Sequence, residues 1–167
     1  DILRASGVPM TERDRLIKLT PASPEWKELD FVRDGDKTRV PGLHIDSWYD
    51  EIEAYPTVKM FQYLSSNSPN QHLVMGPTAH CEMGTETPAT SVGDRTVGDG
   101  RFDYVTLVTR WFDRWLKDAS VPELPAVQYY VLNSGEWKSA NAWPPPGNRP
   151  VRLFLASDGH ANGASGD

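Results

Sequence analysis

Two short apolar runs, VPGLHI at 40–45 and HLVMGP at 72–77, flank a mixed stretch of helix length. Each run is bounded by turn-forming residues, Asn67, Pro69 and Asn70 before the second and Gly76-Pro77 at its end. The pattern predicts strand, helix, strand, with Ile52, Met60, Phe61 and Leu64 as the buried stripe of the helix and Pro56 marking its start or a kink. Strands joined by a helix-length crossover pair in parallel, the unit of an α/β sheet. A second amphipathic pattern follows, with Phe102, Val105, Val108, Trp111, Phe112 and Trp115 at helical spacing and Arg110, Asp113, Arg114 and Lys117 opposite them.

The remainder is less periodic. Residues 1–38 are polar with small apolar clusters, and Ser23, Pro24 and Glu25 form a helix-start signal. Residues 84–100 carry few apolar side chains and predict a long surface loop. After the linker-like SVPELP, a strand (AVQYYVLN), a turn (NSGE), a rigid corner (AWPPPG) and another strand (VRLFLAS) predict a separate β unit beginning near residue 122. Two or three strands are too few to close a sandwich, so that unit is expected to be incomplete.

Composition narrows the function. A net charge of −6 with scattered Lys and Arg offers no basic stripe for phosphates, which argues against nucleic acid and anionic membranes as partners. No apolar run approaches the roughly 20 residues that span a bilayer, so a soluble chain is expected, cytoplasmic or secreted. The single cysteine, Cys81, cannot form an internal disulfide and is expected to be packed or partly shielded.

Candidate chemistry concentrates where the two central strands end. Asp50 follows the first and His80 the second, and the carboxyl edge of an open α/β sheet is where catalytic groups gather. A histidine that takes a proton from a serine hydroxyl needs a carboxylate on its other ring nitrogen, and in α/β-hydrolases the acid precedes the histidine in the chain. Spacing alone leaves other readings open. His44, Asp46, Asp50 and His80 would also suit a zinc or manganese hydrolase, and the aromatic segment from Tyr129 to Trp143 would suit a non-catalytic carbohydrate-binding β module.

The wording of the motifs goes further. VPGLHIDSWYD and, after a helix, HLVMGPTAH resemble the cocaine esterase, α-amino acid ester hydrolase and X-Pro dipeptidyl-peptidase family of serine hydrolases. There a Gly-Trp-Tyr-Asp-like motif gives the triad acid and a Gly-Pro-Trp-x-His-like motif the triad histidine. RWFDRWLKD is similar to the family's helix before its last domain, and YYVLNSGEWKSANAWPPPGNRPVRLFLAS to the opening of its C-terminal jelly roll. The resemblance implies the C-terminal part of an α/β-hydrolase fold followed by the beginning of a jelly-roll-like β-sandwich. Residues 1–38 become the tail of a helical cap, 39–119 the hydrolase part and 122–167 the start of the β-sandwich.

The same resemblance implies an acyl-enzyme mechanism on a small ester or amide, without metal or organic cofactor, with Asp50 and His80 as catalytic residues; Trp48 and Tyr49 are open to two readings, lining of a substrate acyl pocket and core or hinge packing. Two positions depart from the family's wording. Asp46-Ser47 replaces a small, glycine-rich pair, and Thr78 stands where Trp is common, so a changed pocket shape is expected. No serine here sits in a Gly-x-Ser-x-Gly elbow, and Ser47 lacks the glycines that would strain its hydroxyl into the open. The nucleophile is therefore expected upstream of this chain, and the isolated chain is expected to be inactive.

Overall fold

The computed structural model describes residues 5–7, 15, 17–28, 35–132 and 134–154. Its centre is a four-stranded sheet of order β1-β2-β5-β6, made of β1 (Gly42–Tyr49), β2 (Gln71–Ala79), β5 (Val127–Val131) and β6 (Glu136–Ala140). The first three strands are parallel and β6 is antiparallel to β5. Helix α1 (Ala54–Asn67) and helix α2 (Tyr104–Lys117) lie in the crossovers, and a small antiparallel ribbon, β3 (Thr90–Val92) with β4 (Arg95–Gly98), follows β2. The fold is α/β.

β2 reads as a continuous apolar run because it is covered on both faces, as central parallel strands must be. Leu73, Met75, Val127 and Phe61 of α1 form one buried cluster, with Trp48, Tyr129 and Trp143 packed against it. Val74, Tyr104 and Leu107 form the other, with Leu43, Ile45, Phe102 and Trp137 beside it. Alternation along β2 thus sends odd positions towards α1 and Val74 towards α2.

Helix α1 begins at Ala54, and Pro56 lies in its first turn, where a missing N–H breaks no intrahelical bond. Of its predicted stripe Phe61 is fully buried, Met60 and Leu64 are half-buried, and Ile52 precedes the helix and is exposed. Helix α2 is capped at its start by Asp103, whose side chain accepts the Thr106 N–H, and ends on left-handed Asp118, beyond which the Ala119 N–H donates to Asp113. Its buried residues are Tyr104, Leu107 and Trp111, whereas Val105 and Phe112 of the predicted stripe are exposed. The apolar arc is wider than the strip of sheet available to cover it, and the Asp103 cap turns Tyr104 onto the sheet.

Several expectations are corrected. β1 continues past Ile45 through Asp46, Ser47, Trp48 and Tyr49, because β2 supplies a partner along that whole length. The stretch 84–100 is not all loop, since it contains the β3–β4 ribbon, held to the sheet where the Tyr130 hydroxyl donates to the Val97 carbonyl at 2.7 Å. The strand AVQYYVLN, assigned to a separate β unit from residue 122, belongs instead to the first sheet, because Val127, Gln128 and Tyr129 pair in parallel with Leu73, Val74 and Met75. The turn at NSGE makes the β5–β6 hairpin, and residues 151–154 carry no regular structure. Pro24–Glu28 is a single 3-10 turn, while the Leu29 and Phe31 positions of that cluster lie outside the described residues.

Phe61 is the one α1 side chain that enters the fully buried cluster. Phe61→Ala should lower the unfolding free energy by about 3–4 kcal/mol, read as a fall in the urea midpoint with little change of slope.

Candidate active site

The parallel ladder fixes where the two candidate residues stand. Pairing runs from Gly42 with Gln71 to Ser47 with Gly76, then resumes at Tyr49 with Ala79 after a bulge. Tyr49 and Ala79 are therefore neighbours across the ladder, and the next residue on each strand is Asp50 and His80. His80 Nδ1 lies 2.6 Å from Asp50 Oδ2, the short separation of a charge-assisted hydrogen bond. The structure brings together the two residues singled out as acid and histidine.

Asp50 is held from several sides. Its Oδ1 accepts the N–H groups of Ile52 at 3.1 Å and Glu53 at 2.9 Å, its own N–H donates to Ser47 O, and its carbonyl accepts from Ala54. The carboxylate is buried, 7% exposed, while the His80 side chain is 56% exposed. The Glu53 N–H, then the His80 ring and the Ile52 N–H, hold the Asp50 carboxyl below its ordinary value of 3.8, against the opposing effect of burial. The hydrogen bond and charge of Asp50 raise the His80 imidazole above 6.5, with further help from Glu53 and Asp46. With Nδ1 committed to Asp50, Nε2 is the nitrogen left to exchange a proton with a reacting group.

The turn carrying His80 has its own lock. The Glu82 N–H donates to the Ala79 carbonyl at 3.2 Å, and the Glu82 carboxylate accepts the Ala79 N–H at 3.3 Å. Cys81 sits at the tip with a left-handed φ of 61°. Its thiol is exposed, not shielded, because the turn projects beyond the end of the sheet.

The other candidates have structural partners. The Trp48 indole donates to the Tyr130 carbonyl at 2.7 Å, and its ring packs 5.5 Å from Trp143 in the α1-side core. Tyr49 is half-buried, and its hydroxyl is enclosed without a hydrogen-bond partner among the described residues. Ser47 is buried and bonded to Thr78, an arrangement unlike an exposed nucleophile. Thr78 is itself 1% exposed, so the exchange for Trp changes the packing beneath the site.

The alternatives find less support in the geometry. His44 donates from Nε2 to Gln71 Oε1, and Asp46 binds Thr57 and the Ser47 N–H. Burial lowers the His44 imidazole below its ordinary value. Among the described residues, no group of three or more His, Cys, Asp or Glu side chains is disposed to hold a metal ion. Of the rings in the segment suggested for carbohydrate binding, Tyr130 is buried in the core and Tyr129 and Trp143 are half-buried against it. An open groove of about 680 Å³, lined by Glu86, Asp99, Arg101, Phe102 and Trp137, includes neither Asp50 nor His80. Among the described residues, no helix is long and apolar enough to cross a membrane.

The supports of Asp50 and His80 were not legible beforehand. The Asp46–Thr57 bond at 2.6 Å, which ties β1 to α1, and the Ser47–Thr78 bond join residues 11 and 31 positions apart and have no sequence signature. The density of Ser, Thr and Asp at the strand ends was the one available hint.

A model of the X-Pro dipeptidyl-peptidase (S15) family matches residues 4–82, a stretch that contains both Asp50 and His80. Over that stretch the chain is similar to the X-Pro dipeptidyl-peptidase family. It is similar to proteins named "Putative serine esterase" from Mycobacterium bovis and Mycobacterium tuberculosis, 31% identical in each case over 113 residues. Those matches cover 66% of this chain and 17% of each relative, so the chain spans about a sixth of their length. The fold is similar to that of an aminopeptidase from a marine sediment archaeon, Thaumarchaeota archaeon. The TM-score is 0.55 and the identity 26%, over 65% of this chain and 18% of that one.

The pH dependence of the pair follows from the directions of the two shifts. Its stabilisation through His80 is fully present below the ordinary histidine value of 6.5 and is lost as pH rises through the raised folded value. Through Asp50 it is present above 3.8 and is lost as pH falls through the lowered folded value. Stability should therefore level off between about pH 4 and 6.5 and decline on either side. Urea titrations across pH check this, and in Asp50→Asn the decline above pH 6.5 should shrink.

Proposed function

We propose that this chain supplies the acid and the histidine of a Ser-His-Asp triad in a hydrolase that cleaves ester or amide bonds through an acyl-enzyme. The observation that carries the reading is the 2.6 Å contact between His80 Nδ1 and a buried Asp50 that two backbone N–H groups hold in place. The family match and the named esterase and aminopeptidase relatives support it. The serine comes from a segment of the protein outside these 167 residues, because none of the serines here has a glycine elbow.

In this mechanism His80 Nε2 accepts the serine proton as the hydroxyl oxygen attacks the substrate carbonyl. Asp50 keeps the ring in the tautomer with the proton on Nδ1 and stabilises the imidazolium that forms. The imidazolium then protonates the leaving alcohol or amine as the tetrahedral intermediate collapses to the acyl-enzyme. In the second half-reaction neutral His80 accepts a proton from water, whose oxygen attacks the acyl carbon, and His80 returns that proton to the serine. Because three carboxylates raise the His80 imidazole, its neutral, proton-accepting form is reached at a higher pH than that of an ordinary histidine.

By the same reading the β5–β6 hairpin closes the hydrolase layer, and the residues beyond Ala140 open a jelly-roll-like β-sandwich. The polar amino-terminal stretch is the end of a helical cap.

In the whole enzyme, Asp50→Asn and His80→Ala should each lower kcat/KM for an activated ester by about 10³- to 10⁴-fold while the folded spectrum is retained. Turnover close to the unaltered enzyme in either variant would remove the triad assignment. The 167-residue chain by itself should take up no fluorophosphonate, and labelling of one of its own serines would place the nucleophile inside it.

A further inference from the structure

The two positions where the sequence departs from the family's motifs meet in space. Ser47 lies in the segment where a glycine-rich pair is usual, and Thr78 stands where Trp is common. Their hydroxyls are 2.9 Å apart, with Ser47 3% and Thr78 1% exposed. Each is tied closely to a candidate catalytic residue. The Ser47 carbonyl accepts the Asp50 N–H at 3.1 Å, and Thr78 precedes His80 by two residues.

This bond occupies the one irregular step of the β1–β2 ladder. Between the rungs Ser47–Gly76 and Tyr49–Ala79, β1 advances two residues and β2 three. Pro77 lies in that step and has no N–H to donate to a ladder, and the step falls beyond the rungs Leu73, Val74 and Met75 at which β2 also pairs with β5. Backbone pairing is therefore interrupted one step before the last rung, Tyr49–Ala79, from which the strands deliver Asp50 and His80, and the side-chain hydroxyls bridge that step. Gly76 makes room for the bridge, since a Cβ there would lie 3.0 Å from Ser47 Oγ and 2.5 Å from the Tyr104 hydroxyl oxygen.

We propose that Ser47 and Thr78 are positioning residues whose hydroxyl bridge sets the approach of His80 to Asp50 across the bulge. The proposal rests on the reading of Asp50 and His80 as acid and histidine. A buried hydroxyl that loses its partner retains its desolvation cost, so removing either member should let the strand ends shift to rehydrate the other. A shift of a few tenths of an ångström weakens a hydrogen bond as short as the one between His80 and Asp50.

The test is the titration of the His80 ring protons, followed by NMR in the 167-residue chain. The carboxylates acting on His80 are Asp50, Glu53 and Asp46, and the bridge variants leave all three in place. Ser47→Ala and Thr78→Val should each bring the His80 pKa down towards 6.5, and Thr78→Ser, which keeps the hydroxyl, should leave it raised. The double variant should shift it no further than either single change, since both remove one shared bond. Ser47→Ala, a one-atom truncation, carries the test by itself should Thr78→Val fail to fold.

Asp50→Asn serves as the reference. If it lowers the His80 pKa while Ser47→Ala and Thr78→Val leave that value raised, the bridge is only structural and the proposal is overturned, with the acid–histidine reading intact. If Asp50→Asn also leaves the value raised, the pairing of Asp50 with His80 is itself wrong, and the proposal falls with it.

Discussion

Parallel pairing of β1 with β2 is the constraint on which the rest of the molecule depends. Because the strands run the same way and in register, their carboxyl ends finish together, and residues thirty positions apart become neighbours. Such a pair requires a crossover, which α1 supplies by packing Phe61 onto Leu73 and Met75. It also requires cover on the opposite face, which α2 supplies through Tyr104 and Leu107 against Val74. The chemistry inherits its geometry from these packing demands.

At the carboxyl edge that regularity is relaxed in a controlled way. Pro77 lies at the interruption of the ladder, β2 bulges, and the chain leaves the sheet in two tight turns, in which the Ile52 and Glu53 N–H groups donate to Asp50 and the Glu82 N–H to the Ala79 carbonyl. The carboxylate is buried against backbone donors and the imidazole is half open, the division of labour expected of an orienting acid and a proton-transferring base. The hydrogen bond and charge of Asp50, with the charges of Glu53 and Asp46, raise the His80 imidazole above its ordinary value.

Sequence reading succeeded where a local pattern maps directly onto structure. The α1 and α2 segments, the two apolar strands and the Asp50–His80 pairing were all legible, the last because strand, crossover and strand leave few topologies open. It failed where a local pattern is shared by two tertiary outcomes. The alternating residues of β5 read equally well as the first strand of a new sandwich or as the next strand of the existing sheet, and only the pairing with Leu73, Val74 and Met75 distinguishes them. Aromatic residues at Tyr129 and Trp143 likewise suggest an exposed binding face until their packing against Trp48 and Phe61 is seen.

What the sequence determined by itself was the central strand–helix–strand unit, the α2 helix and the places of Asp50 and His80 at the strand ends, since hydrophobic period and strand-end position are properties of neighbouring residues. The tertiary structure decided how far each strand runs, which sheet it joins and what holds the pair together. Those outcomes depend on bonds such as Ser47–Thr78, Asp46–Thr57 and Trp48–Tyr130, whose partners lie 31, 11 and 82 residues apart. A hydroxyl or an indole N–H finds its partner only after the chain has folded around it, so no window along the sequence records the match.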